Sequence, residues 1–143
     1  MKQTLLIELL TEELPPKALE KLSMSGDEFV HPHEGLILEY SNPYTGGPTL
    51  PTLSCRVQLL RPGLETDPHK HTGTAIYHVI QGSGRTVLEG GEVMEWGERD
   101  CFVIPSWHEH RFANDSLSDD AILFSMTDRP VLEALRLYRE EKC

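Results

Sequence analysis

Cysteine is scarce in this chain, and so are basic residues and long apolar runs. The three cysteines, Cys55, Cys101 and Cys143, are an odd number spread far apart, which argues against a disulfide framework and suits the reduced thiols of a cytosolic protein. Lysine and arginine together number 13 against 23 acidic residues, for a formal charge of −10, and the basic residues form no cluster. Nucleic acid and anionic membrane surfaces repel a protein of their own sign, so neither is an expected partner. No apolar run approaches the roughly 20 residues that a spanning helix needs, and the start of the chain lacks the charged, apolar, then small-residue plan of a signal peptide. There is no internal repeat and no low-complexity segment. The cytoplasm is the expected location.

What is present is enough for one compact core: 143 residues, 38% of them hydrophobic. A seam falls near residue 23. The stretch "MKQTLLIELLTEELPPKALEKLS" has a short apolar run, two prolines suited to the first turn of a helix, and a helical "KALEKL"; Met24 then looks like a second start. "IELLTEELPPKAL" resembles the opening of the glycyl-tRNA synthetase beta subunit, over about twenty residues only, too short a match to carry an active site. Residues 1–23 are therefore read as a leader or fusion-derived segment, with a native amphipathic arm as the alternative, and residues 24–143 as a single domain.

Beyond the seam, short apolar stretches alternate with glycine- and proline-rich turns, the pattern of an all-β sandwich or barrel. Strands are expected at 36–40, 53–60, 75–81, 85–88, 92–95, 101–104, 109–113 and 121–125, with loops at "SNPYTGGP", "RPGLETDP", "QGSG", "EGGE" and "NDSLSDD". A C-terminal helix of about a dozen residues is expected after Asp128, with Pro130 in its first turn and Val131, Leu132, Leu135 and Tyr138 on one face.

Seven histidines, His31, His33, His69, His71, His78, His108 and His110, carry the chemistry. His69 and His71 are two apart, so a strand directs both rings to one face. His78 has the opposite parity and is expected to point outward. His31 and His33 flank Pro32 in a loop-like context and are weak candidates. His69 lies six residues after Gly63, Gly82 follows, and a second block, "GERDCFVIPSWHEHRFAN", places Pro105 five residues before His110 and Asn114 four after it.

These two blocks resemble the paired motifs of the cupin superfamily, a small jelly-roll barrel that holds a metal. The resemblance implies His69, His71 and His110 as ligands. Two positions depart from the usual pattern: Ala75 stands where the first motif has glutamate, and Trp107 where the second has glycine. Ala75 shares parity with His71 and so faces the interior, where it cannot ligate. Either the site is dead or it is a three-histidine site, whose neutral imidazoles leave the charge of the metal uncompensated and favour an anionic chelating substrate. His108, of the same parity as His110, is an additional candidate for ligand or cavity lining.

More narrowly, "EYSNPYTGGPTLPTL", "LRPG", "HKHTGTAIYHVIQGSG", "VIPSWHEH" and "LFSMTDRPVLEALRLYREE" are similar to the C-terminal cupin half of gentisate 1,2-dioxygenase and its relatives acting on 1-hydroxy-2-naphthoate or salicylate. That family cleaves aromatic rings with Fe(II) and dioxygen, the carboxylate and hydroxyl of the substrate chelating the iron. The resemblance implies a gentisate-type dioxygenase with one divalent metal per cupin, Fe(II) first and zinc, nickel or manganese as alternatives. It also implies an anionic aromatic acid with O2 as substrates, and a homodimer in place of the second cupin. Arg56, Gln58, Tyr77 and Trp107 are candidate substrate-pocket residues. Two alternatives stand beside this: a metal- or small-ligand-binding cupin without turnover, and a divalent-metal isomerase, lyase or hydrolase.

Overall fold

Alternation of side chains builds the barrel. In "SCRVQLL" (β2, Ser54–Leu60), Arg56, Gln58 and Leu60 point one way and Cys55, Val57 and Leu59 the other. The computed structural model describes Met24, Gly26 and residues 30–143; the expected leader at 1–23 lies outside the described residues. Ten strands follow in order: β1 (Leu36–Tyr40), β2, β3 (His69–His71), β4 (Ala75–Gln81), β5 (Gly84–Leu88), β6 (Val93–Trp96), β7 (Cys101–Ile104), β8 (His110–Ala113), β9 (Ala121–Thr127) and β10 (Glu140–Lys142). Every strand pairing is antiparallel. The strands form two five-stranded sheets, ordered β1-β2-β9-β4-β7 and β10-β3-β8-β5-β6. Among the described residues this is the expected all-β jelly roll with one short α-helix, α1 (Arg129–Ala134).

The core lies between the sheets. Leu60, Ala75, Tyr77, Val79, Ile104 and Leu123 from the first sheet meet Trp96 and Phe112 from the second. A further apolar cluster, Leu36, Cys55, Val57, Leu59, Ile122 and Phe124, lies on the opposite face of β1, β2 and β9. The buried Trp96 indole N–H is satisfied by Thr86 Oγ1 at 3.0 Å.

Several motif residues outside the histidines are scaffolding. Asn114 is buried, and its side-chain amide donates to the carbonyls of Leu60 and Asp119 at 2.9 and 2.8 Å. Gly82 has φ +81°, and a Cβ there would stand 2.7 Å from the Asp120 carbonyl oxygen, so only glycine passes between β4 and β5 at this point.

The C-terminal segment differs from expectation. α1 has six residues, with Asp128 at its N-cap position but without a side-chain capping bond. The Asp128 carboxylate instead accepts the Thr74 N–H at 2.9 Å. Arg136 then adopts φ +59°, which ends helical geometry, and the chain turns back to add β10 to the edge of β3. Leu135 is consequently exposed.

Candidate metal centre

β3 presents His69 and His71 on one face, and its pairing with β8 sets His110 directly opposite His69. The ring centroids lie 4.4 Å apart for His69 and His110, 5.2 Å for His71 and His110, and 5.6 Å for His69 and His71. One donor atom from each lies within 4.8 Å of the other two. Their exposures are 1%, 8% and 1% for His69, His71 and His110.

The hydrogen bonds assign the free nitrogens. His71 Nδ1 is 2.7 Å from the Gly73 carbonyl oxygen, and His110 Nδ1 is 2.9 Å from that of His108. A carbonyl only accepts, so both Nδ1 atoms carry the hydrogen and both Nε2 lone pairs are bare. His110 Nε2 and both nitrogens of His69 are buried without a hydrogen-bond partner. Orphaned buried polar atoms are rare and costly, and here they occur on rings that converge. The donor set therefore fits a divalent metal.

The electrostatics agree. Burial first, then the neighbouring imidazoles of His110 and His71, push His69 down to about 2. Burial lowers His110 to about 4, against the opposing pull of the His108 carbonyl. Both rings are thus neutral near pH 7, the form that ligates. His69 Nε2 also stands 3.8 Å from Glu34 Oε1. Since His69 resists protonation so strongly, this is a neutral ring beside a carboxylate and not an ion pair.

A cavity adjoins the His71 ring, with Ala75, Arg56, Gln58, Tyr77 and Glu34 also among its lining residues. Its free space is about 20 Å³, little more than one water needs. The Arg56 guanidinium lies 3.2 Å from Glu34 and 3.6 Å from Glu39. Gln58 Nε2 donates to the Glu34 carbonyl at 2.7 Å. Both candidate substrate residues are therefore engaged with the loop before β1. Tyr77 is buried and stacked on Phe102 with centroids 5.1 Å apart, and desolvation raises its hydroxyl pKa well above the ordinary phenol range.

Two expected residues fall elsewhere. Trp107 does not wall the cavity: it is 40% exposed, with the Lys70 ammonium 5.2 Å above its ring. Its backbone explains why glycine usually holds this position, since φ is +62° while its N–H donates to the His71 carbonyl at 2.7 Å. His108 is exposed, with Nδ1 3.2 Å from the Ser106 carbonyl. Parity with His110 does not carry to it because β8 begins at His110 and His108 belongs to the preceding turn.

His78 lies on the outer face of β4, its Nδ1 3.2 Å from Cys101 Sγ. His33 is buried, its ring centroid 5.3 Å from that of His69, and its Nδ1 lies 3.1 Å from the Asp67 carbonyl oxygen. Sequence reasoning missed several cavity residues, among them Glu34, Arg129 and Tyr138. Tyr138 lies nearly parallel to His71, centroids 6.4 Å apart, and the Arg129 guanidinium sits 4.5 Å over the Tyr138 ring. Their signal was hidden because Glu34 is a single loop residue and Tyr138 was assigned to a helix that ends before it.

Comparison with known proteins places this geometry. Residues 56–127 match the Cupin domain family. The chain is 48% identical over 110 residues to 5-aminosalicylate 1,2-dioxygenase of Comamonas sp., covering 77% of this chain and 29% of that protein. It is 51% identical to gentisate 1,2-dioxygenase of Haloferax sp., covering 76% and 29%. Among solved structures, salicylate 1,2-dioxygenase of Pseudoaminobacter salicylatoxidans with gentisate superposes at a TM-score of 0.76 and 32% identity, over 88% of this chain and 34% of that one. The chain thus spans about a third or less of the length of these relatives. With its two facing sheets, its motif glycines and its buried histidine cluster, the chain belongs to the cupin family.

Proposed function

We propose that this cupin is a three-histidine Fe(II) centre of the gentisate-dioxygenase type, acting on an aromatic hydroxy-carboxylate. The observation that carries the reading is the convergence of three buried imidazoles, His69, His71 and His110, beside a strand position where Ala75 offers no ligand. The relatives named as 5-aminosalicylate and gentisate dioxygenases supply the substrate class. When bound, Fe(II) would supply a chelation point for carboxylate and hydroxyl and would relay electrons from the substrate to dioxygen. The chain's own residues do the rest. The Gly73 and His108 carbonyls hold the tautomers of His71 and His110, Arg56 and Arg129 offer cations to a carboxylate, and Tyr77, backed by Phe102, gives the cavity an aromatic wall. The free cysteines suit a reducing cytoplasm. We place the protein there as a homodimer.

The narrow cavity favours a second reading, metal or small-ligand binding without turnover, because Arg56 is already neutralised by Glu34 and Glu39. One experiment decides. The protein is purified without chelator, its metals are measured, Fe(II) is reloaded anaerobically, and oxygen uptake is followed with gentisate, salicylate and 1-hydroxy-2-naphthoate. Uptake with any of them supports ring cleavage. Stoichiometric iron with no uptake leaves the binding reading.

A further inference from the structure

The strand position that would place a carboxylate beside His71 holds Ala75, yet the cavity that Ala75 faces is also bordered by a carboxylate, that of Glu34. We propose that Glu34 is the acidic ligand of this metal centre, delivered by the loop before β1 instead of from β4. The proposal rests on the metal-binding reading above and adds a protein ligand to it.

Distance is the first ground. Glu34 Oε1 stands 3.8 Å from His69 Nε2. That is too far for a hydrogen bond, but two donors on one ion with bonds of about 2.1 Å lie up to about 4.2 Å apart. The histidine donors lie within 4.8 Å of one another, and the Glu34 carboxylate falls outside that group; a histidine pair at that limit must close by at least about 0.6 Å to share one ion, and the Glu34 side chain must move inward further than the rings. The second ground is the orphaned state of His69 Nε2, buried and unpaired while a carboxylate oxygen faces it. A cation between them satisfies both.

The loop is built to hold Glu34 there. His31 and Gly35 exchange backbone hydrogen bonds of 2.7 and 2.8 Å, and Gln58 fixes the Glu34 carbonyl at 2.7 Å. Gly35 has φ +73°, and a Cβ there would stand 2.8 Å from the Leu59 carbonyl oxygen, so the loop lies tight on β2. Arg56 takes Oε2 at 3.2 Å and leaves Oε1 directed at His69. Charge is the third ground. Three neutral imidazoles leave a dication uncompensated in a site nearly shut off from water, where one carboxylate is worth most.

The test is a Zn(II) titration in competition with a chelator, together with the absorption spectrum of the Co(II)-loaded protein, on the wild type, Glu34→Gln and Glu34→Ala. Expected are Zn(II) affinities at least tenfold weaker in both variants, with a change in the position and intensity of the Co(II) bands. Variants that bind Zn(II) within about twofold of wild type overturn the assignment of Glu34 and leave the three-histidine site standing. So does weaker binding with an unchanged Co(II) spectrum, which is charge acting from outside the coordination sphere. A wild-type chain that takes up no metal overturns the metal reading and this proposal together.

Discussion

His69 and His110 face each other across the β3–β8 pairing, ring centroids 4.4 Å apart, although 41 positions separate them in sequence. The two sequence motifs meet at this one registered pair, so the metal centre exists only when the two halves of the second sheet have closed.

Removing either ring should empty the site. His69→Ala and His110→Ala are expected to lose metal by at least a hundredfold in affinity, read by metal analysis after dialysis, while His108→Ala keeps wild-type content because its ring is exposed outside the cluster. Full metal retention in the first two would show that the ion, if any, binds elsewhere.

Acid should destabilise the metal-free protein. His69 and His110 are held at about 2 and about 4 in the folded state, against about 6.5 unfolded. Below pH 6.5 the unfolded chain therefore takes up protons that the folded chain refuses, and stability falls as pH falls towards 4. Each group contributes up to about 1.4 kcal/mol per pH unit, so the loss between pH 7.5 and 5 reaches up to about 4 kcal/mol. Urea midpoints with chelator present read this directly; a midpoint that rises on acidification contradicts the buried neutral rings.

Asn114 should matter for stability and not for metal. Asn114→Ala leaves the Leu60 and Asp119 carbonyls without their donor, a loss of about 2–4 kcal/mol. The melting temperature should drop roughly 5–15 °C, with metal stoichiometry unchanged in the folded protein.

The motif glycines should separate in cost. Gly63 has φ +72° with open space around it, whereas a Cβ at Gly82 meets the Asp120 carbonyl at 2.7 Å in addition to its φ of +81°. Gly63→Ala is expected to cost about 1–2 kcal/mol from backbone strain alone, and Gly82→Ala about 1–3 kcal/mol more from overpacking. Equal thermal shifts would remove the steric account of Gly82.

Much of the barrel was legible because its longer strands alternate. The inward parity of Ala75 and the outward parity of His78 follow from period two, and most strands between Leu36 and Ser125 follow from apolar stretches cut by turn residues. The short pieces did not show: β3 and β10 have three residues each, and Glu140–Lys142 is polar throughout. The expected helix over-ran because its pattern continued past Ala134, while tertiary bonds decided otherwise: Asp128 serves Thr74, and Thr72 Oγ1 bonds the Leu137 carbonyl and the Arg139 N–H at 3.1 and 2.9 Å. Within the site, the histidines could be read by spacing. Glu34 could not, since only a folded loop brings it to β3, and Trp107 and His108 were misplaced because a turn does not keep strand parity.

β3 is held to β8 through one registered pair and to β10 through three. All three β10 residues are exposed, so little apolar burial secures that docking, and its transient detachment is an inexpensive fluctuation of the native state. A ligand that needs His69 and His71 aligned binds only the docked form and suppresses the detachment by mass action. Occupancy of the barrel interior should then be legible at the rim, as slowed amide exchange along Glu140–Lys142.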